Sequence, residues 1–352
     1  MFILSGPYNS AFLGKSLRNL NQLVIKPDNN VFEPFKNSYS VNNFSDYYNI
    51  NEDNKILTSL EDALPYLYEN FFQTHKSVQN AKRFKNKFDF RETIKDLHVG
   101  HKYKKLTEPT LIFDSKKAMV AKPISGISSN NVRVIMPNDK NILIEASQEN
   151  PYLLEDYIVG REIAVDGYYD EYGTPVILNI MEHVFADQSD TSDTVYFTNV
   201  KLVEEFLSIS NYLNDLSRLY GVLTNFPFHF EFRINENNEI IPIELNPLRF
   251  SGYGTCEIAH YAYNINPYKA FFKDNRPKWR EKLKEHLIAD TAFYGFYVAK
   301  SISSHDKLYS MFDEVLEYRI MPEGTKDAKV IVFFREITKD NLQKLALTKG
   351  IV

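Results

Sequence analysis

Cysteine is almost missing: the 352-residue chain has one, Cys256, so it can form no internal disulfide and no cysteine-rich zinc site. Cys256 reads as a small buried apolar side chain rather than a nucleophile. Tryptophan also occurs once, against 23 Tyr and 26 Phe. No apolar run reaches the roughly 20 residues that cross a bilayer. The apolar run within Met1–Ser10 is too short for a secretory signal, so the expected compartment is the cytoplasm. The G-x-G-x-x-G and G-x-x-x-x-G-K-[ST] fingerprints are absent, which excludes a Rossmann dinucleotide site and a Walker phosphate loop. Excess positive charge is absent too: a net charge of −5 argues against a general nucleic-acid or membrane surface. Repeats, low-complexity tracts and any credible Ser/His/Asp or Cys/His arrangement are also lacking.

What is present is the composition of a folded protein, 43% hydrophobic and 25% charged, with length enough for two or three domains. Its most informative stretch is FHFEFRINENNEIIPIELNPLRFSGYGT, Phe228 to Thr255. Phe230, Phe232 and Ile234 alternate with His229, Glu231 and Arg233. Ile241, Ile243 and Leu245 then alternate with Pro242, Glu244 and Asn246. Period-two alternation predicts two strands, each with one apolar and one polar face. The turn Glu236–Glu239 sets Phe232 opposite Ile243, Glu231 opposite Glu244 and His229 opposite Asn246. Carboxylates directly across a strand pair repel, unless a cation lies between them or one takes up a proton. Magnesium, which prefers oxygen ligands, meets that need, and Asn246 adds a third oxygen. Pro242 has no N–H, so its position must not need a ladder bond from that residue. A hairpin face carrying ordinary surface acids is the competing reading.

Earlier segments supply cations. The run from Asn80 to Lys105 is basic, and Asp89 with Glu92 fits a capping box for a helix through Leu97, with Lys87 just before it. Lys82, Arg83 and Lys85 read as a solvated face. Ala118–Pro123 and Val132–Ile135 read as strands flanking the polar loop Ile124–Asn131. Lys122 ends the first strand, and loop N–H groups beside it can cradle phosphate. Tyr152–Val159 is an extended segment, followed by Gly160-Arg161-Glu162 and a strand over Ile163–Tyr169. Asp187–Thr194 reads as a polar loop over the site. Lys201–Tyr220 is the clearest helix, with Leu202, Phe206, Ile209, Leu213, Leu216 and Leu219 on one face, Asn199 as cap and Gly221 as stop.

Nearer the N-terminus, Phe2–Leu4 and Leu23–Ile25 read as strands around a helix or turn, and segment 28–54 as loops. Thr58 and Glu61 form a capping box for a helix through Phe72, which Pro65 kinks or whose start it shifts. Beyond Ala270 the expected elements are helices over Pro277–Leu287 and Asp340–Leu347, and strands over Thr291–Val298 and Lys329–Phe334. This tail completes the fold, contacts a partner subunit or closes over substrate; the residues leave that open.

Taken in order, these motifs resemble the ATP-grasp superfamily, and H-x-E followed by E-x-N-P looks most like its carboxylate–amine ligases. The resemblance runs from Lys82 to Tyr268. It implies an α/β (α+β) fold: a Rossmann-like pre-ATP-grasp domain (1–78), a small subdomain with a phosphate lid (79–150), a second subdomain with the metal site (151–275) and a C-terminal extension (276–352). It implies that Lys87 and Lys122 contact ATP phosphates, together with the lid residues Ser125, Gly126, Ser128 and Ser129. Glu155, Asp156, Tyr157 and Ile158 would line the adenine, with Glu155 near its exocyclic amine, and Glu162 would take the ribose hydroxyls. Glu231, Glu244 and Asn246 would hold one or two Mg2+ ions, or Mn2+. Arg249 and His229 are the candidates for substrate. Leu248 departs from the family pattern by separating Asn246-Pro247 from Arg249, and the lid has only one glycine.

The implied reaction is ATP-dependent amide formation through an acyl phosphate, on a small-molecule carboxylate and amine. A kinase-like phosphotransferase, a ligase modifying a peptide or protein, and a nucleotide-binding regulatory module stay open as alternatives. No nucleic-acid or membrane partner is expected, and a homodimer is allowed.

Overall fold

The computed structural model describes residues 2–5, 10–17, 23–24, 54–59, 61, 64–71, 73–98, 100–125, 131–187, 190–289, 292–321, 325 and 328–352. The expected loops at 28–53 and the expected helix end at Phe72 lie outside them. The chain opens with β1 (Phe2–Ser5), α1 (Ala11–Leu17), β2 (Leu23–Val24), β3 (Lys55–Thr58) and α2 (Leu64–Phe71). β1 lies between β2 and β3, and both pairings are parallel. Thr58 does not cap a helix: it ends β3, and its N–H and hydroxyl both donate to the Leu248 carbonyl, at 2.7 and 3.2 Å. Pro65 lies in the first turn of α2, where its missing N–H removes no intrahelical bond, so it shifts the helix start rather than kinking the helix.

α3 (Lys76–Lys85) and α4 (Lys87–Ile94) meet at Asn86, and a 3-10 turn carries α4 on through Leu97. The helix is capped by Asn86, not Asp89: the Asn86 side chain accepts from the N–H groups of Phe88 and Asp89. The smaller body contains β4 (Tyr103–Leu106), β5 (Thr110–Asp114), β6 (Met119–Pro123), β7 (Arg133–Ile135), β8 (Lys140–Ile144) and β9 (Tyr152–Asp156). β4, β9, β6 and β7 form one antiparallel sheet in that order, while β5 and β8 form a separate ribbon.

The larger body begins with β10 (Arg161–Tyr169), β11 (Pro175–His183), β12 (Val195–Thr198), α5 (Val200–Phe206) and α6 (Ile209–Leu219). β13 (Phe226–Ile234), β14 (Ile240–Pro247), α7 (Ile258–Tyr263), α8 (Pro267–Lys273) and α9 (Trp279–Ala289) follow. It ends with β15 (Phe293–Ala299), α10 (His305–Tyr309), β16 (Glu314–Ile320), β17 (Val330–Glu336) and α11 (Lys339–Leu347). Among the described residues its eight strands run β14-β13-β10-β11-β12-β15-β17-β16. The tail therefore completes the central sheet.

The helix expected over Lys201–Tyr220 is broken at Leu207–Ser208. There Ser210 and Asn211 donate to carbonyls three residues back, a 3-10 pattern that tightens the turn and leaves both Phe206 and Ile209 buried. Leu219, expected on the buried face, is 43% exposed near the helix end.

The hairpin β13–β14 has its turn where alternation puts it, and Glu231 does face Glu244, as His229 faces Asn246. Phe232, however, faces Pro242 rather than Ile243, because a bulge leaves Ile243 as an extra residue. Pro242 is tolerated because β14 is the sheet edge. The apolar face of β13 packs Phe230 against Phe90 of α4, with ring centroids 5.9 Å apart. Burying a phenylalanine of this kind contributes about 1.5–3 kcal/mol. That packing fixes the opposite face, with Glu231 and Glu244, toward the smaller body.

Candidate active site

Between the smaller sheet and the β14–β13–β10 edge lies a cleft open to solvent. One wall carries Lys87 from α4, Lys122 from β6 and the segment Glu155–Ile158. The other carries Glu162, Glu231, Ile243 and Glu244. Pairing places the polar side chains in rungs: Glu162 opposite Arg233 and His183, Glu231 opposite Glu244, and His229 opposite both Asp166 and Asn246.

Lys87 reaches across this cleft, while Lys122 pairs on its own wall. Lys87 Nζ lies 3.0 Å from Glu244 Oε1, and Lys122 Nζ lies 2.6 Å from Glu155 Oε1. Burial alone would raise the Glu244 pKa, but Lys87 and Lys85 overcome it and hold the carboxyl far below the usual range. Glu155 is likewise driven well down, because Arg91 and Lys122 outweigh its burial. Glu231 moves the other way: burial, aided by Glu162 and Glu244, raises its pKa despite His229.

Glu155 has no idle oxygen. Oε2 takes Arg91 Nε at 2.6 Å and His101 Nε2 at 2.9 Å, and Oε1 holds Lys122, so it acts here as a buried counter-ion. Asp156 pairs with Lys117 at the cleft rim. The Tyr157 N–H is spent on the Ala118 carbonyl at 3.1 Å, and Ile158 lines the cleft beside it. Glu162 is gripped by His183 Nδ1 at 2.8 Å and by Arg233 at 2.9 Å. Of the expected lid residues, Ser125 is exposed just past β6; Gly126, Ser128 and Ser129 lie outside the described residues. Asp190, Thr191 and Asp193 also line the cleft, from the polar loop expected there.

Arg249 does not line the cleft, although Glu231 and Glu244 are within its electrostatic reach. Leu248 sits in the left-handed region at φ 57°, and Arg249 then donates to Glu61 at 2.6 Å and to the Phe250 carbonyl at 3.0 Å. His229 lies between two acids, with Nδ1 3.0 Å from Asp166 and Nε2 3.4 Å from Glu231. Burial would lower its pKa, but the bonds to Asp166 and Glu231 raise it to about 9.

Three residues at this site are absent from the sequence reading or misread in it. Lys85, read as solvated, is largely buried and contacts Glu244 Oε1 and Asn246 Oδ1, each at 3.3 Å, as well as Glu61. Its place follows from the Asn86 cap, which turns the chain so that Lys85 and Lys87 flank the helix junction. Arg91, 2% exposed, joins Glu155 to the carbonyls of Pro242 and Ile243, tying α4 to both walls. Its spacing of four from Lys87 was the available signal. Asp166, fully buried, accepts from the Ser251 N–H at 2.7 Å and hydroxyl at 2.9 Å as well as from His229, pinning the turn after β14. Period two from Glu162 puts it on this face.

The donor set suits a hard divalent cation: Glu231, Glu244 and Asn246 present two carboxylates and an amide oxygen on one face. Among the described residues no group of three or more His, Cys, Asp or Glu side chains is arranged to hold a metal. The third oxygen here comes from an amide. The raised pKa of Glu231 marks a carboxyl that a bound cation would relieve. No helix among the described residues is long and apolar enough to cross a membrane.

A family model for the ATP-grasp domain matches residues 138–257. Solved structures share the fold over nearly the whole chain. An L-amino acid ligase from Bacillus licheniformis is 13% identical, with a TM-score of 0.61, over 99% of this chain and 96% of that one. A carboxyaminoimidazole ribonucleotide synthase from Aspergillus clavatus, complexed with ATP, is 12% identical, with a TM-score of 0.62, over 99% and 97%. The biotin carboxylase domain of the Hydrogenobacter thermophilus 2-oxoglutarate carboxylase, in complex with MgADP and bicarbonate, is 10% identical, with a TM-score of 0.55, over 95% and 85%. At such identities the likeness is one of fold. Residues 138–257 thus match the ATP-grasp domain family, and the chain shares the fold of these solved structures over nearly its whole length.

Proposed function

We propose that this chain is an ATP-dependent carboxylate–amine ligase that forms an amide through an acyl phosphate, acting on an amino acid or another small metabolite. One observation carries the reading: lysines from the smaller body and acids from the sheet edge meet inside one cleft, as in the 3.0 Å Lys87–Glu244 pair. Phosphoryl transfer asks mainly for positioning and charge neutralisation, and this cleft offers both.

In this reading Lys87 and Lys122 leave their carboxylate partners for ATP phosphates. Ile158 and the main chain around it line the adenine, and Glu162 takes the ribose. Glu231, Glu244 and Asn246 would hold magnesium, which supplies charge neutralisation at the phosphates. The substrate carboxylate oxygen bonds to the γ-phosphorus as the β–γ bridging bond breaks, releasing ADP. The amine nitrogen then bonds to the acyl carbon, phosphate leaves with the carbon–oxygen electron pair, and the nitrogen gives up a proton. No protein nucleophile is needed. Arg249 would have to release Glu61 to reach the acid. Asp166 and Ser251 hold the turn, so His229 serves to orient Glu231. The domain boundaries at 78, 150 and 275 belong to the same proposal.

A panel of amino acids with ATP and magnesium, read by phosphate release and product mass, tests this. The expected result is phosphate release that requires both an acid and an amine, with an amide product. Carboxylate-dependent ATP loss with no need for amine would overturn ligation in favour of kinase chemistry. Turnover only with peptides would move the substrate class.

A further inference from the structure

Lys85 occupies the oxygens assigned above to a divalent ion. Its Nζ lies 3.3 Å from Glu244 Oε1 and 3.3 Å from Asn246 Oδ1, and it also pairs with Glu61. The first two partners are on β14; the third comes from the N-terminal unit, between β3 and α2. Unlike Lys87 and Glu244, neither Lys85 nor Asn246 lines the cleft; both sit behind Glu244. Glu61 is itself anchored by Arg249 Nη2 at 2.6 Å and sits in a largely buried setting.

A magnesium ion needs its oxygens at about 2.0–2.1 Å in a near-octahedral shell. An ammonium resting on two of those oxygens fills part of that shell, and two cations on one carboxylate repel. Filling the site is therefore an exchange. The arriving ion must displace Lys85, and Glu61 is the anion already in contact with it that can keep its charge paired.

We propose that Lys85 is an internal cation that holds the Glu244–Asn246 site until a divalent ion replaces it, and that Glu61 is the anchor on which the displaced ammonium is retained. This rests on the metal reading of the previous subsection and deepens it. The exchange keeps Glu244 compensated in both conditions. It also couples metal occupancy to the N-terminal unit, because the displaced lysine leans wholly on Glu61 and, through it, on Arg249. Lys85 is thus a positioning residue that sets metal affinity without touching substrate.

The test is a Mn2+ titration of the full-length chain without nucleotide, read by the electron paramagnetic resonance of free Mn2+. Wild type is compared with K85M, K85Q, K85R, E61Q and E244Q, each first checked for a cooperative thermal transition. Both neutral Lys85 variants are expected to bind Mn2+ about tenfold tighter, inside the usual range for two coupled ligands. K85R, which keeps the charge, is expected to stay near wild type. E61Q is expected to bind several-fold more weakly, since Lys85 then has no second anchor. E244Q is expected to lose binding. Loss in E244Q with unchanged or weaker binding in K85M and K85Q would overturn the exchange and leave the metal site standing. Wild-type affinity in E244Q would overturn both, and tightening in K85R equal to that in K85M would show that charge is not the cause.

Discussion

The two ends of the eight-stranded sheet bury carboxylates in opposite ways. At the β14 edge, Glu244 faces Lys87 and Lys85, and its pKa is driven far down. At the far end, Glu336 at the close of β17 is fully buried and is met by the Asp313 N–H and the Asn341 amide, both at 3.0 Å. Burial then dominates and raises its pKa to about 7. Burial is common to both, so burial is not what marks the site. The difference is the supply of cations, which the sheet edge obtains from α3, α4 and β6. A neutral acid can stay put as packing; an acid held against movable lysines can exchange partners with a charged ligand.

Removing the charge at the active end should have the largest effect. Glu244→Ala is expected to lower kcat about 10²- to 10³-fold, comparable to removing a preorganised electrostatic group, with the cooperative unfolding transition retained because the side chain borders a cleft. Steady-state kinetics beside a thermal melt checks it, and a near-normal rate would erase the contrast between the two ends. Arg91→Leu attacks the joint instead. It leaves Glu155 buried with two of its three donors and frees two carbonyls of β14. Breaking a buried pair from one side costs about 3–5 kcal/mol, so urea unfolding should show a loss of that order. A loss under about 1 kcal/mol would mean that Glu155 is neutralised without it.

Lys122→Ala should act on ligand affinity more than on folding. A charge-assisted bond contributes about 1.5–3 kcal/mol, so binding of a non-hydrolysable ATP analogue should weaken about 10- to 100-fold by calorimetry. Unchanged affinity would assign Lys122 to Glu155 alone and make the smaller wall structural.

How much of this could be read beforehand differs between the same two ends. Around the cleft, alternation located Glu231, Glu244, His229 and Asn246, because one apolar face fixed by Phe230 and Phe232 leaves little freedom in register. The bulge at Ile243 escaped that reading, since period two holds on each strand even when their pairing slips by one. Lys85 escaped because a basic run looks the same whether solvated or folded onto acids; only the Asn86 cap decides, and Asp89 was the more conspicuous capping residue. Glu61 was assigned to a capping box because its local spacing fits one, whereas its partners lie 24 and 188 residues away. The tail gave elements without a position. β15 and β17 are recognisable as strands, but β12, which joins β15 to the rest of the sheet, is four residues long and follows the polar loop, so nothing local announces the pairing.

The smallest expected effect is at the inactive end. The Glu336 carboxyl, at 4.5 in its ordinary state, is raised to about 7, so the folded protein holds this proton more tightly than the unfolded chain. Its contribution to stability is complete below pH 4.5 and is lost as pH rises through 7. The lowered cleft acids behave in the opposite way, contributing above the usual carboxylate range and losing that contribution as pH falls. Glu336→Gln removes the titration while keeping a polar side chain beside Asn341. The difference in unfolding free energy between variant and wild type should be near zero at pH 4. It should grow in favour of the variant to on the order of 1 kcal/mol at pH 8, after discounting for solvent screening. Denaturant melts at several pH values measure that difference directly. A flat difference would mean that the Glu336 pKa is not shifted by folding, and a difference that grows against the variant as pH rises would place a cation there, so that both ends of the sheet bury their acids by one rule.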